Sequence, residues 1–251
     1  MLSSQILSSS YSLSTYHIAS TEKPYCLEIE HEINQLKDSQ DPEPDPTIKY
    51  MIVLSASHSY LHTPDVGSSP DLEDDYNRME LALNTAKKIA ALNAHTKIEE
   101  LNLELLRQHG PLIVYNGSEE QNHDLQSALN RDMVNYPKDK FIILDLPKDN
   151  INTKGQFLSI KQHLPLTHVT IALITHAYHF PRIARMLGEN APLYPFGNHV
   201  KKYAFLTDRQ FLSPGIDDHV KHEIEKIPTY IDKGDLAKEP AHDVIYLLPE
   251  S

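Results

Sequence analysis

Residues 169–182, VTIALITHAYHFPR, decide which fold the sequence predicts. Their first six residues, Val169 to Ile174, are rich in β-branched side chains and almost continuously apolar, which is typical of a parallel strand covered on both faces. Pro181 suits the first turn of a helix, where its missing N–H costs no hydrogen bond. Apolar residues then follow at helical spacing: Ile183, Met186 and Leu187. A buried strand that leads into a helix near His179 is the repeating unit of open α/β sheets.

Outward from this stretch, other apolar runs lie at the spacing of βαβ units. Three precede it: Tyr50 to Leu54, Leu112 to Tyr115 and Phe141 to Leu144. Helical patterns separate the four runs: Met79 to Leu92, Ile98 to Leu106, Leu125 to Val134 and Gln156 to Leu164. This alternation predicts an α/β fold with a Rossmann-like open, mostly parallel sheet and helices on both faces. A later run, Val244 to Leu248, is a candidate edge strand.

The chain divides into an N-terminal extension with an acidic, proline-rich linker, residues 1–48, and one α/β domain, residues 49–251, which includes a C-terminal helix and tail. The linker is the stretch DPEPDP at residues 41–46. In the extension, the spacing of four apolar residues predicts a short amphipathic helix that docks on the domain: Leu27, Ile29, Ile33 and Leu36. Its charged residues are expected to be largely solvated: Glu28, Glu30, Glu32 and Lys37.

Charge and composition narrow the class of partner. The 251 residues include 23 Lys and Arg against 35 Asp and Glu, a net charge of −12, so no basic field draws in nucleic acid and a small-molecule ligand is expected instead. The single cysteine, Cys26, excludes an intrachain disulfide. No apolar run approaches the roughly 18 residues of a membrane span, and no secretory signal pattern begins the chain. A cytoplasmic protein is predicted.

Polar residues follow every predicted strand. Because the carboxyl ends of parallel strands share one edge of the sheet, these residues are expected to line one pocket: Ser55, Asn116, Gly117, Ser118, Asp145, Thr175 and His176. The Asn116-Gly117-Ser118 segment suits a tight turn that exposes backbone N–H groups, and Ser118 suits either a helix cap or a phosphate contact. Asn152 and Thr153 are likewise a helix cap or a ligand contact, with capping the stronger interpretation.

The remaining candidates lie on two helices. Arg78, near the start of the first long helix, either reaches an anion or neutralises the acidic run 71–75, which is interpreted as a solvated loop. Tyr178, Arg182 and Arg185 lie three or four residues apart near a positive helix terminus, where an anion is favoured. The alternative is that Arg182 and Arg185 pair with acidic neighbours on a solvated helix while both histidines, His176 and His179, merely pack.

This ordered set of residues resembles the YdcF-like family, which carries the domain of unknown function 218. Residues 175–182, THAYHFPR, resemble the family's Thr-Ser-x-Tyr-His-hydrophobic-x-Arg segment after a buried strand. Three further elements match in order: Arg78 on the first helix, Asn116-Gly117-Ser118 for a Ser-Gly-Gly turn and Asn152-Thr153 for an Asn-Thr element. The chain departs from the family in three places: Ser55-Ala56-Ser57 replaces a glycine-rich turn, Asn116 stands for Ser, and Lys154-Gly155-Gln156 follows the Asn-Thr element.

The resemblance covers about Tyr50 to Phe205 and implies a polar pocket that binds a nucleotide-like ligand such as S-adenosylmethionine. The leading hypothesis is therefore a soluble protein that binds a small anionic or adenosyl-containing ligand, with Arg78 and Arg182 contacting negative charge. A second hypothesis is a hydrolase or transferase acting on a phosphate-containing metabolite, with His179 as general acid or base, Arg182 stabilising charge and Tyr178 orienting His179.

Two further hypotheses concern other kinds of site. A divalent metal would use His176 and His179, with further ligands from His58, His123 or Asp145, but this spacing does not position a closed site and no metal site is predicted. A protein-interaction module would use the serine-rich extension and the acidic linker, although nothing in residues 1–48 identifies the partner.

Overall fold

The computed structural model describes residue 32 and residues 43–55, 74–146, 152–188, 191, 200–207 and 216–247. Six strands lie within these ranges: β1 Ile48–Leu54, β2 Leu112–Asn116, β3 Phe141–Ile143, β4 Thr170–His176, β5 Lys201–Thr207 and β6 Val244–Leu247. The same ranges hold six α-helices: α1 Asp74–Ala94, α2 Leu103–His109, α3 Glu119–Asn130, α4 Thr153–His163, α5 Phe180–Leu187 and α6 Ile216–Asp232. Short 3₁₀ turns occupy Ile98–Glu100, Lys138–Lys140 and Ala177–His179.

The six strands form one parallel sheet in the order β3-β2-β1-β4-β5-β6. The predicted fold class, a Rossmann-like open α/β sheet, is confirmed, and β6 is its edge strand as expected. Strand β5 was not predicted, because its two leading lysines interrupt the apolar pattern. It nevertheless pairs with β4 from Thr170↔Lys201 to His176↔Thr207.

Helices cover both faces of the sheet, which explains the continuous apolar runs. In β1, Met51 and Val53 face the core built with α1, α2 and α3, whereas Ile52 and Leu54 face the core built with α4, α5 and α6. Strand β4 alternates in the same way, and its residues from Ile171 to Ile174 are completely buried. Period-two alternation into two apolar layers leaves no polar face on the central strands.

Two helices have different bounds from those predicted, because side chains cap their first turns. Helix α3 begins at Glu119 because Ser118 and Gln121 form a capping box, and it ends at Asn130, before the predicted Val134. The predicted helix over residues 98–106 is instead a 3₁₀ turn followed by α2, since the Asn102 side chain accepts hydrogen bonds from the amides of Glu104 and Leu105.

The end of the acidic linker is part of the sheet structure. Asp45 accepts hydrogen bonds from Lys201 Nζ at 2.6 Å and from the Tyr203 hydroxyl at 2.8 Å, both on β5. Thr47 Oγ1 lies 2.9 Å from Thr170 Oγ1 on β4, and β1 begins at Ile48. Residues 45–48 therefore fasten the amino edges of β1, β4 and β5 together. No helix in the described ranges has the length and apolar character needed to cross a membrane.

Candidate ligand site at the strand ends

The strand order places one topological switch point in the sheet. From β1 the chain passes outward to β2 and β3, and then returns to place β4 on the other side of β1. In open α/β sheets, the crevice outside the carboxyl ends of two such strands is where ligands bind. The ends of β1 and β4 are Leu54 and His176, which are followed by Ser55 and the turn Ala177–His179. The polar groups around these two ends are called the strand-end site below.

Arg78 lies at the centre of the strand-end site. Its Nε donates to Nδ1 of His176 at 2.8 Å, and its Nη1 donates to the carbonyl oxygen of Leu54 at 2.6 Å. The side chain thus joins α1 to the ends of both switch-point strands while only 3% of Arg78 is exposed. Both of these hydrogen bonds go to uncharged groups, the His176 imidazole and a backbone carbonyl.

His179 is held by the strand that precedes it. Its Nδ1 lies 3.0 Å from Oγ1 of Thr175, and both residues are buried. Burial lowers the pKa of His179 well below its ordinary value, and the positive charges of Arg182 and Arg78 lower it further. The imidazole is therefore neutral at physiological pH. It can donate or accept a hydrogen bond there, but it holds no proton for general-acid catalysis unless negative charge is added beside it.

The Tyr178 ring packs more closely on His176 than on His179, the residue that the catalytic hypothesis has it orient. The ring stacks on His176, with centroids 5.5 Å apart and planes 26° apart, whereas its centroid lies 6.5 Å from that of His179. Thr175 makes the hydrogen bond that orients His179. Two side chains hold His176. The Tyr178 ring stacks on the His176 ring, and Arg78 donates a hydrogen bond to His176 Nδ1.

Ser55, Asn116 and Gln156 form a second buried group, which joins β1, β2 and the first turn of α4. Ser55 Oγ donates to the carbonyl oxygen of Asn116 at 2.9 Å, and Asn116 Nδ2 donates to that of Gln156 at 3.0 Å. Gln156 Nε2 donates to Ser55 Oγ at 2.7 Å and to the carbonyl oxygen of Ser55 at 2.9 Å. Gln156 was not predicted as a site residue, because a glutamine inside a helical pattern carries no signal of its own.

The turn after β2 differs from the prediction that it exposes backbone N–H groups. The Gly117 amide donates to Asn122 Oδ1 at 3.0 Å, and the Ser118 amide donates to Gln121 Oε1 at 2.8 Å. Both amides are therefore used within the protein, and Ser118 caps α3. Asn152 behaves in the same way, since its side chain accepts the Gly155 amide at the start of α4 and Thr153 is the first residue of that helix.

Asp75 corrects the interpretation of residues 71–75 as a solvated loop. It lies in the first turn of α1, is 1% exposed, and accepts hydrogen bonds from the Tyr115 hydroxyl at 2.7 Å and from Gln121 Nε2 at 3.1 Å. Burial raises the pKa of Tyr115, and the Asp75 charge raises it further. Asp75 thus ties α1 to β2 and α3. Residues 71–73 lie outside the described ranges.

Arg182 has a carboxylate partner. Its Nε lies 2.8 Å from Oε2 of Glu223 and its Nη2 lies 2.9 Å from Oε1, a two-point ion pair between α5 and α6. Burial raises the pKa of the Glu223 carboxyl above its ordinary value, against the opposing effect of Arg182. Arg185 is paired too, with Glu32 of the N-terminal extension. The alternative interpretation is therefore right that both arginines pair with carboxylates, but wrong that the helix is solvated, because α5 is buried.

Four buried polar atoms on the elements that meet at this edge have no hydrogen-bond partner among the described residues. They are Asn77 Nδ2, Asn116 Oδ1, Gln156 Oε1 and His179 Nε2. They come from α1, β2, α4 and the turn after β4. A buried polar group without a partner costs about 1–3 kcal/mol, so these four atoms are the groups at this edge for which a hydrogen-bond partner would be most favourable.

In the described part of the chain, these groups coincide neither with a metal-binding cluster nor with the cleft beside Gly188. Within the described residues, no three His, Cys, Asp or Glu side chains are grouped to hold a metal ion. His123 is exposed beside Asp124, Asp145 accepts a hydrogen bond from Asn122, and His58 lies outside the described ranges. A cleft of about 510 Å³ lies at the opposite, amino-terminal edge of the sheet, between Gly188 and residues 237–243.

No protein-family model, curated protein or solved structure matches this chain. The fold and the strand-end geometry define an open, parallel α/β protein of the Rossmann-like class. The resemblance to the YdcF-like family stays a prediction from the sequence.

Proposed function

We propose that the protein binds a small anionic ligand, nucleotide-like or adenosyl-containing, in the strand-end site. The observation that carries this proposal is a buried arginine at the switch point, Arg78, whose described hydrogen bonds go to uncharged groups, together with buried polar atoms on the neighbouring elements that have no partner among the described residues. A phosphate or carboxylate would complement the Arg78 charge. The amide groups of Asn77, Asn116 and Gln156 would hydrogen-bond a base, ribose or similar polar body.

The roles expected from the sequence are redistributed in this proposal. Arg78 becomes the principal anion-binding residue, because Arg182 is already held by Glu223. Thr175 and His176 position the neighbouring imidazole and the arginine, and Ser55 positions Gln156. Gly117, Ser118, Asn152 and Thr153 shape the turns and helix starts that surround the ligand. Membership of the YdcF-like family and binding of S-adenosylmethionine are parts of the same proposal.

The test is thermal stabilisation by a panel of nucleotides, S-adenosylmethionine and its demethylated product, sugar phosphates and inorganic phosphate, since a ligand selective for the folded state raises the melting temperature. We expect a hit whose affinity falls roughly ten-fold or more in Arg78→Lys, because lysine lacks the planar fork of the guanidinium. Arg107→Lys is the matched control, because Arg107 pairs with Asp139 and Glu104 away from the site. A hit equally strong in Arg78→Lys, or no hit at all, contradicts the proposal.

A catalytic role is the second candidate, and the Thr175–His179 hydrogen bond favours it. A hydroxyl in contact with a neutral imidazole is the arrangement in which a base can activate a nucleophile or a water molecule. The protein would then be a hydrolase or transferase acting on a phosphate-containing metabolite. Turnover of the bound ligand that is lost in His179→Gln, while binding persists, supports catalysis. Binding without any turnover in the parent protein leaves only the first role.

A further inference from the structure

The buried Arg185 side chain pairs with a carboxylate of the N-terminal extension. Its side chain is 2% exposed, and its Nη1 and Nη2 lie 2.7 Å from Oε2 and Oε1 of Glu32, which precedes it by 153 residues. Nη1 also donates to the carbonyl oxygen of Pro181 at 3.0 Å. Two parallel N–H···O bonds between a guanidinium and a carboxylate are the strongest ion-pair geometry available to these groups.

This contact differs from the expectation that Glu32 is largely solvated. Its side chain is 26% exposed and is engaged with both terminal nitrogens of Arg185. Glu32 supplies the only carboxylate paired with Arg185 among the described residues. Because an isolated buried guanidinium is strongly unfavourable, Arg185 is maintained in this position by a residue outside the α/β domain.

Helix α5 depends on tertiary contacts for its stability. It has only eight residues, too few to be stable alone, and seven of them are buried. The same helix carries Arg182, one turn before Arg185, and follows directly on His179. The loop before β6 is bonded to the other side of α5, through the Ala237 amide on the Arg185 carbonyl and the Ala241 amide on the Ala184 carbonyl.

We propose that Arg185 is a carboxylate receptor through which the N-terminal extension is fastened to α5, so that Glu32 acts as a brace for the helix beside the strand-end site. The occupant of the receptor is this chain's own Glu32. Glu32 is then a working part of the domain. This inference does not rest on the proposed ligand, because neither the contact nor its test requires one.

The experiment compares full-length Glu32→Gln with the parent protein by limited trypsin cleavage after Lys23 and Lys37 and by hydrogen exchange of the α5 amides. The change leaves Arg185 buried and removes the charge that pairs with it. We expect both cleavage in the extension and exchange in residues 180–187 to become roughly ten-fold faster, the effect of losing a charge-assisted hydrogen-bonded pair. Glu30→Gln is the matched control, since it makes the same charge change two positions away, and it should alter neither rate.

A double-variant comparison keeps the test decisive. If Glu32 and Arg185 act through each other, the α5 exchange of Glu32→Gln/Arg185→Gln is no faster than that of Glu32→Gln alone, because the double variant leaves no unpaired charge. Unchanged rates in Glu32→Gln overturn the proposal. So does faster cleavage of the extension with unchanged exchange in α5, or an additive effect of the two substitutions. Should Arg185→Gln fail to fold, the partly exposed Glu32 still decides the question by itself.

Discussion

The Arg78 guanidinium donates to Nδ1 of His176 at 2.8 Å and to the Leu54 carbonyl at 2.6 Å, so one side chain of α1 closes the switch point between β1 and β4. An arginine can only donate, so Nδ1 of His176 must be an acceptor, and the neutral imidazole therefore carries its proton on Nε2. The pair thus fixes both the ring orientation and the tautomer of a buried histidine at the point where a ligand is expected.

Replacing Arg78 by lysine should lower the free energy of unfolding by about 1–3 kcal/mol. Lysine keeps the charge but cannot donate to the His176 ring and the Leu54 carbonyl with the same fork, so at least one buried acceptor loses its donor. Urea denaturation followed by circular dichroism measures the loss. Arg107→Lys should change stability by less than about 0.5 kcal/mol, because Arg107 and both of its partners are substantially exposed. Equal effects of the two substitutions would contradict the bridging role of Arg78.

His179 should make the fold less stable in mild acid. Its pKa in the folded protein is depressed, so the unfolded chain takes up a proton below about pH 6.5 that the folded protein takes up only at lower pH. Stability is therefore lost as the pH falls below about 6.5, by at most about 1.4 kcal/mol per pH unit from this residue. The difference in unfolding free energy between the parent and His179→Gln, measured from pH 7.5 to 5, isolates the contribution.

The matched control for this pH dependence is His123→Gln, since the His123 side chain is 80% exposed. That variant should keep the slope of the parent protein. A parent-minus-variant difference for His179→Gln that does not change with pH would mean that the buried imidazole does not titrate differently in the two states. Adding an anionic ligand should raise the pKa of His179 toward its unfolded value and so reduce the stability that this residue loses in acid, because negative charge offsets Arg182 and Arg78.

Glu223→Gln should strengthen binding of an anionic ligand, provided that the strand-end site binds one. In the structure Glu223 holds Arg182 through two contacts, so a ligand must compete with it for that guanidinium. Removing the carboxylate charge should raise affinity about five- to ten-fold, equivalent to about 1 kcal/mol, and Arg182→Gln should not produce this gain. Calorimetric titration with the hit from the ligand panel measures both. Weaker binding in Glu223→Gln would mean that the ion pair itself builds the site.

Gly117 should be required for packing. A Cβ at this position would lie 2.7 Å from the Cβ of Gln121 and 2.8 Å from Cε1 of Tyr115, and the Tyr115 ring is fixed by Asp75. Gly117→Ala should therefore cost about 1–3 kcal/mol, measured as a shift in the denaturation midpoint. Gly188→Ala is the control, because the nearest atoms to its added Cβ are 3.7 Å or more away. Equal tolerance of both alanines would show that the turn after β2 can adjust.

The sequence predicted the sheet well because the central strands are buried on both faces. Val169 to Ile174 is almost continuously apolar and Tyr50 to Leu54 is entirely so, and such short runs between amphipathic helices are typical of buried parallel strands. Strand β5 was missed because it begins with two lysines. Lys201 pairs with Asp45 and Lys202 pairs with Asp243, and both carboxylates are distant in sequence. Periodicity reports burial in local segments, but it does not report which distant carboxylate neutralises a lysine.

The location of the candidate site could be predicted from the sequence, but the contacts between its side chains could not. That Arg78, Ser55, Asn116, Thr175 and His176 lie on one edge follows from the parallel sheet. The Glu223–Arg182 ion pair and the Gln156–Ser55 hydrogen bond do not follow from it. Each contact joins side chains of elements whose relative positions the sequence pattern does not determine. The Asn116-Gly117-Ser118 turn likewise shows no sign in its own sequence that Gln121 and Asn122 use its amides.

Asp45 should stabilise the fold at neutral pH through its negative charge. Burial alone would raise the pKa of Asp45, but hydrogen bonds from Lys201, Thr47 and Tyr203 hold it well below its ordinary value. A depressed carboxyl pKa contributes stability above the unfolded value, near pH 4, and that contribution disappears as the pH falls through this value toward the folded one. Asp45→Asn should therefore be less stable than the parent by about 1 kcal/mol at pH 7, with the gap closing below about pH 4.

Urea midpoints at a series of pH values from 7 to 3 test this expectation. Asp132→Asn is the matched control, because its side chain is 81% exposed beside Lys138 and asparagine tolerates its positive φ of 55°. That variant should show a smaller difference from the parent at every pH. If the stability difference between the parent and Asp45→Asn stays constant down to pH 3, the residue acts through hydrogen-bond geometry, which asparagine partly reproduces. A gap that closes would mean that the carboxylate charge itself holds β5 to the start of β1.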